Sequence, residues 1–154
     1  MQEPDPLTTM RHLPLDHVGI AVPSLEIAIP TYELLTGARH TDPVRVDSEG
    51  VILTFVGTGI GRVELLQPTS PDSAVARFLE RRGPGLHHLA YRVPDIETAL
   101  SDLTAAGLET VGRAPRIGAH GHRIAFLDPR STGGVLIELV EEAVPPRHPD
   151  AQAG

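Results

Sequence analysis

Two histidines and two carbonyl-bearing residues stand at matching intervals in this chain, and together they have the donor chemistry to hold a metal ion. His17 precedes Gln67 by 50 positions and His88 precedes Glu138 by the same 50, the two pairs being offset by 71 residues (88 − 17 = 138 − 67). Imidazole nitrogen, amide oxygen and carboxylate oxygen all suit a divalent first-row cation, and four such donors in an octahedral shell leave two adjacent positions for a bidentate ligand. Zn2+, Co2+, Ni2+, Mn2+ and Fe2+ are all compatible with that set. A lone histidine at a strand start is ordinarily a surface or hydrogen-bonded core residue. Gln67 could merely end an edge strand, and Glu138 could face water. The joint spacing is what points to a shared site.

The same offset runs through the elements that must position these residues. Leu15 to Val22 matches Leu86 to Val93, followed by Pro23 with Pro94, Leu25 with Ile96, Glu26 with Glu97 and Ala28 with Ala99. The chain therefore reads as a duplication. Leu15 to Val22 alternates with period two, Val18, Ile20 and Val22 on one face and His17, Gly19 and Ala21 on the other. The bulky face is fit to pack under a helix, and the small face leaves room beside His17. In the second copy His88, Ala90 and Arg92 share a face, and alternation puts His87 on the opposite, helix-facing side.

Ser24 is the expected N-cap of a helix with Leu25, Ala28, Tyr32 and Leu35 on one side, closed by Gly37, with Pro30 expected to kink it or shift its start. Extended runs follow near 39–46, 51–56 and 62–67, which makes the first module β-α-β-β-β. Ser70-Pro71 predicts the start of a linking helix whose apolar side is Val75, Phe78 and Leu79. The second module repeats the order, with a helix from Asp95 to Ala106 and extended runs near 108–111, 122–127 and 134–140. The expected fold class is α+β: tandem βαβββ modules at 14–69 and 85–142, a linker helix within 70–84, and mobile tails at 1–13 and 143–154.

Composition narrows the partners. Asp and Glu number 20 against 13 Lys and Arg, a formal charge of −7, with no basic block or stripe, which argues against nucleic acid. A small ligand is expected instead. The absence of cysteine excludes disulfides, zinc-thiolate sites and a thiol nucleophile. The first residues lack a basic region and apolar run, and no 18-residue apolar stretch occurs, so the expected location is cytoplasmic with no membrane partner.

These residues resemble the vicinal oxygen chelate (glyoxalase-like) superfamily, and within it the methylmalonyl-CoA epimerases. The resemblance covers about residues 14 to 142 and is carried by Asp16-His17-Val18-Gly19-Ile20-Ala21-Val22, Glu64-Leu65-Leu66-Gln67-Pro68-Thr69, Gly85-Leu86-His87-His88-Leu89-Ala90, Arg123-Ile124-Ala125-Phe126-Leu127, and the run Ser131 to Leu139. It implies a cupped, eight-stranded mixed sheet around the metal site, a divalent ion with Co2+ favoured, a homodimer, and an acyl-CoA substrate. The reaction it implies is inversion at C2 of methylmalonyl-CoA or a related 2-substituted malonyl thioester through an enolate. Glu138 would then be both metal ligand and one acid/base.

The family's other catalytic glutamate lies two residues before a Gly-Val pair, where this chain has Ser48, with Glu49 adjacent. Along an extended strand neighbouring side chains face opposite ways, so either a bulge re-aims Glu49 as the second base or the proton chemistry differs. Ser48, Arg92 and the loop residues Ala119, His120, Gly121 and Arg123 are the candidates for substrate contact. Arg77, Arg81 and Arg82 are expected to be solvated helix charges, and His12, His40 and His148 to face solvent, as exposed loop histidines such as His120 and His122 commonly do. Two other readings stand beside the epimerase: another metal-dependent isomerase or lyase of the superfamily, glyoxalase I-type or biosynthetic, and a non-catalytic small-molecule binding protein. Glyoxalases commonly use a carboxylate where this chain has Gln67, which favours the epimerase.

Overall fold

A computed structural model of the chain describes residues 12–142. Nearly all of both expected tails, including His148, therefore lies outside the described residues. The elements are β1 (Leu15–Ala21), α1 (Leu25–Thr36), β2 (Val44–Val46), β3 (Val51–Val56), β4 (Arg62–Pro68), α2 (Ala74–Arg82), β5 (Gly85–Arg92), α3 (Ile96–Ala105), β6 (Thr110–Ile117), β7 (Arg123–Leu127) and β8 (Ile137–Glu141). Each half has the expected βαβββ order.

The strands form one curled mixed sheet in the order β2-β3-β4-β1-β5-β8-β7-β6. Within each half the first strand runs parallel to the last, β1 to β4 and β5 to β8. The halves meet at its centre, where β1 and β5 pair antiparallel with His17 opposite Ala90 and Gly19 opposite His88. Because 17 corresponds to 88 and 19 to 90 in the duplication, this register places a local twofold axis between the two histidines. Each histidine faces the small residue that follows its counterpart by two, a condition the small-faced strands already met in sequence.

Apolar side chains then divide between the two faces. On one face α1 covers Val22, Val56 and Leu65 with Leu25, and α3 covers Val93, Ala125, Leu127 and Leu139 with Ile96 and Ala99. On the other, Ala21, Leu53, Phe55 and Leu66 pack with Val75 of α2. Leu65 and Leu66 thus face opposite ways, as period two requires.

The helix α1 runs unbroken through Pro30, which sits on its exposed side, between a Ser24 cap and Gly37 at φ 68°. One helix begins later than expected. The start of α2 falls at Ser73, whose hydroxyl accepts from Ala76 N, rather than at Ser70. Ser70 to Asp72 forms a preceding turn closed by the Ser73 N to Ser70 O bond. Among the described residues no helix is long and apolar enough to cross a membrane.

Candidate metal centre and substrate cavity

His17, Glu64, His88 and Glu138 converge at the centre of the sheet, all buried, with one donor atom from each lying within 4.8 Å of the others. The two Nε2 atoms are 3.1 Å apart. Glu138 Oε2 lies 2.8 Å from His88 Nε2 and 3.5 Å from His17 Nε2, and Glu64 Oε1 lies 3.4 and 3.6 Å from the same atoms. Donors about 2.1 Å from a common octahedral ion stand about 3 Å apart along each edge. The spacing therefore suits a first-row divalent ion.

The electrostatics agree. Glu64 and Glu138 are buried, and their ion pairs among the described residues are with the two imidazoles, not with lysine or arginine. Burial alone would lower the His17 pKa, but hydrogen bonds to Asp16 and Glu138 and the nearby carboxylates outweigh it and raise it to about 9. For His88 burial is likewise outweighed, by Glu138 and Glu64, and the pKa rises to about 10. Burial would raise Glu138, yet the two histidines hold it down at about 2. The buried carboxylates draw positive charge from the histidines, and a divalent cation with neutral imidazoles would supply it instead.

Each histidine of the cluster is aimed by the residue before it. His17 Nδ1–H donates to Asp16 Oδ2 at 2.7 Å, and Asp16 Oδ1 accepts from Arg92 Nε and Nη2 at 2.9 and 2.7 Å. Burial would raise the Asp16 pKa, but His17 and Arg92 hold it well below the usual carboxylate range. His88 Nδ1 lies 2.9 Å from His87 Nδ1. Burial and the neighbouring His88 push His87 down to about 4, so it is neutral and can accept from His88 Nδ1–H.

Two register shifts in the β1/β5 pairing explain these placements: Leu15 and His17 oppose Tyr91 and Ala90, while Gly19 and Ile20 oppose His88 and Leu86. Asp16 and His87, themselves 71 apart, are the extra residues of two bulges, which re-aim their side chains. His87 consequently lines the cavity instead of the helix-facing side, its ring 5.0 Å from Phe78.

Gly19 gives His88 its place. A Cβ at Gly19 would stand 2.1 Å from His88 Cε1 and 2.4 Å from Nδ1, so the imidazole occupies the space a side chain would need.

Gln67 is not part of the cluster. Its Oε1 accepts from Leu25 N at 2.8 Å, capping α1 on the far face of β4. Glu141 Oε2 does the same for Ile96 N of α3 at 2.7 Å. The structural counterparts are therefore Gln67 with Glu141 and Glu64 with Glu138, both offset by 74 (141 − 67 = 138 − 64). Three extra residues in the second half, between α3 and β8, shift the offset from 71. The signal was present as Val-Glu-Leu-Leu-Gln against Ile-Glu-Leu-Val-Glu, aligned on glutamate.

The cluster opens into a cavity of about 940 Å3 with apolar walls that include Leu53, Phe55, Leu66 and Phe126. Arg77, Arg81 and Arg82 of α2 and Arg116 of β6 also line it, instead of standing apart as solvated helix charges. Locally, therefore, the cavity is basic although the chain is acidic.

The remaining candidates disperse. Glu49 lines the cavity but belongs to the turn at 47–50, so strand parity does not apply to it; its two oxygens accept from Arg116 Nε and Nη2 at 2.7 and 3.2 Å. Ser48 is exposed on that turn and outside the cavity lining. Arg92 stands behind His17 on Asp16 and Glu142, and Arg123 pairs with Glu97 and Glu141 beside α3. Of the loop, Ala119 lines the cavity and packs against the first half's core, whereas His120, at φ 57°, sets its ring 6.3 Å from Phe55, and Gly121 is exposed. His122, expected in the exposed loop, lines the cavity. His12 is exposed, and His40 bonds Glu33 at the surface.

A βαβββ duplication that pairs its first strands around two histidines and two carboxylates defines a recognisable class. Residues 16–126 match the glyoxalase/bleomycin resistance protein/dioxygenase superfamily, and the chain belongs to that family. It is 40% identical over 126 residues to the mitochondrial methylmalonyl-CoA epimerase of Homo sapiens, covering 81% of this chain and 72% of that one. It is also 40% identical over 127 residues to the ethylmalonyl-CoA/methylmalonyl-CoA epimerase of Cereibacter sphaeroides, covering 81% and 95%. In structure it superposes on a variant Streptomyces coelicolor methylmalonyl-CoA epimerase in complex with 2-nitronate-propionyl-CoA, with a TM-score of 0.81 at 32% identity over 86% of this chain and 100% of that one. Like these relatives, the chain is an enzyme of the isomerase class.

Proposed function

We propose that this protein is a divalent-metal-dependent epimerase that inverts C2 of methylmalonyl-CoA or a related 2-substituted malonyl thioester through an enolate. The observation that carries the reading is the His17–Glu64–His88–Glu138 cluster at the base of a cavity with arginines in its wall. Those four residues would hold the ion, Co2+ being favoured by the family resemblance. A bound divalent ion supplies Lewis acidity toward the substrate's carbonyl and carboxylate oxygens, stabilising the negative charge that appears when the C2 proton leaves.

The chain's own groups do the rest. Glu138 offers one oxygen toward the cluster and keeps the other for the C2 proton. The apolar wall of Leu53, Phe55, Leu66 and Phe126 excludes water, which strengthens every charge interaction inside. Arg77, Arg81 and Arg82 supply the local positive charge that a polyphosphate carrier needs to approach a protein of charge −7. The homodimer belongs to the same reading: Ile27, Leu34 and Leu35 of α1 are 78, 85 and 73% exposed and offer an apolar face to a second copy. Sedimentation equilibrium checks it.

The test is solvent exchange. In heavy water the metal-loaded enzyme should place deuterium at C2 of the acyl-CoA and scramble its two epimers; absence of exchange would refute the activity. Glu64 supports a second reading, because the cluster holds a carboxylate where an amide was expected. A glyoxalase I-type isomerase would act on a glutathione hemithioacetal and leave acyl-CoA untouched, and the arginines in the cavity wall favour the acyl-CoA.

A further inference from the structure

We propose that Arg62 recognises the carboxylate of the substrate and so decides which way round the substrate lies in the cavity; this rests on the epimerase reading above. The two halves of the site are nearly equivalent. Each presents one histidine and one glutamate about the local twofold axis between β1 and β5, and a 2-substituted malonyl thioester could lie across that axis with its carboxylate toward either half. Something must break the symmetry. Arg62 on β4 stands opposite His17 on β1, two residues before Glu64 and therefore on the same face, and it lines the cavity. Its counterpart at the offset of 74 is Leu136 (136 − 62 = 74), which lines the cavity with Leu86 and Val135. One corner of the cluster is thus cationic and its counterpart apolar.

The Arg62 guanidinium also has donors to spare. Its Nε is buried without a hydrogen-bond partner among the described residues, and Nη2 reaches Asp16 Oδ2 only at 3.6 Å, that carboxylate already accepting from His17 and Arg92. The group rests over the Phe55 ring, Cζ 3.9 Å from its centre, and the Phe55 ring centre is 5.3 Å from that of His17. The aromatic contact holds the cation beside the cluster without using its N–H groups. The other cavity arginines are engaged elsewhere. Arg116 gives Nε and Nη2 to Glu49 and Nη1 to Arg113 O, and Arg77 Nη1 donates to Asp72 O. Arg82 lies over Phe78, whose ring meets His87, the neighbour of Leu86. A planar fork of N–H donors matches a carboxylate and has no equivalent match in a thioester, which offers one neutral carbonyl oxygen. The carboxylate therefore goes to the Arg62 corner, and the thioester with its carrier leaves past Leu86 toward the arginines of α2.

The experiment measures binding of methylmalonyl-CoA and of propionyl-CoA, which has the same carrier and no carboxylate, by calorimetry on Co2+-loaded protein, with bound metal per chain and thermal melting followed beside it. Arg62→Gln should keep its fold and metal, bind methylmalonyl-CoA about 10-fold or more weakly than wild type, and bind propionyl-CoA within about twofold of it. KM for epimerisation should rise by the same factor, and Arg62→Lys, which restores the charge without the fork, should recover part of the loss. Arg92→Gln is the control: Arg92 acts on Asp16 from behind the sheet, so metal affinity should fall and both ligands should weaken together. Equal weakening of the two ligands in metal-loaded R62Q would make Arg62 a mere support for Asp16 and overturn the proposal, as would methylmalonyl-CoA affinity within about twofold of wild type. If R62Q loses its fold or its metal, R62K carries the test: a loss confined to methylmalonyl-CoA is expected, and an equal change for both ligands, or none, overturns the proposal. Wild-type enzyme that exchanges no C2 hydrogen in heavy water would instead refute the epimerase reading, which is a separate result.

Discussion

Replacing Gly19 by alanine tests the proposed metal centre without touching any of its four proposed ligands. The backbone at Gly19 lies outside the left-handed region, so alanine is tolerated by the strand itself, and the whole conflict is between the new Cβ and the His88 ring. Ordinary contact begins at 3.4 Å, whereas the Cβ would stand 2.1 Å from Cε1, so the imidazole must retreat by at least 1.3 Å (3.4 − 2.1). Metal–nitrogen distances tolerate only about 0.2 Å. Overpacking of this kind costs about 1–3 kcal/mol. If that cost falls on metal binding, it amounts to a loss of about 5- to 150-fold in affinity. The expected outcome is a folded G19A protein with cooperative melting, Co2+ affinity reduced within or beyond that range by calorimetry, and activity falling in step at fixed metal. Wild-type metal affinity with full activity would refute the placement of His88 over Gly19 and with it the ligand set.

Other changes separate the roles that sequence alone had merged. Gln67→Leu removes the acceptor for Leu25 N and should cost about 0.5–2 kcal/mol of stability in urea unfolding while leaving metal stoichiometry at the wild-type value; Glu64→Leu should abolish stoichiometric binding. Asp16→Asn should weaken Co2+ binding by about 10- to 100-fold at unchanged stoichiometry, because Asp16 aims His17 and is itself held by Arg92. Metal uptake should release protons: the surrounding carboxylates raise both histidines, to about 9 and about 10, so at neutral pH the pair holds a proton that the ion must displace. Affinity should accordingly fall as pH falls, and an indicator dye in weak buffer should register acidification on adding Co2+. An unchanged pH would mean that the ion binds elsewhere.

The local twofold axis explains why so much of this site could be read from a one-dimensional comparison. Duplicated first strands must meet somewhere to share a core, and pairing small faces antiparallel brings the histidines of both copies to one point. Charge is the other consequence. With Gln67 the donor set would carry one negative charge, and with Glu64 it carries two, which a divalent ion neutralises when the imidazoles are neutral. Glu64 in place of Gln67 thus changes the electrostatics of the cluster.

The sequence by itself determined the duplication, the βαβββ order and the meeting of His17 with His88, because period-two alternation and an offset of 71 between the first strands are local properties of the chain; Glu138 was reached through an offset that does not hold at the last strand. It also contained the reason His88 fits, since Gly19 follows His17 by two. Tertiary structure decided the rest. Three extra residues in the second half changed the offset to 74 at the last strand, and with a side-chain period of two that slip sent Gln67 to cap α1 and brought Glu64 to the buried cluster. Bulges at Asp16 and His87 overrode alternation, and alternation had no hold on Glu49, which belongs to a turn. Arg92 and Arg123 found carboxylates behind the sheet, while Arg77, Arg81 and Arg82 came to the cavity. Which side of a charged helix meets a cavity depends on where the helix docks, and that is set by contacts far apart in the chain.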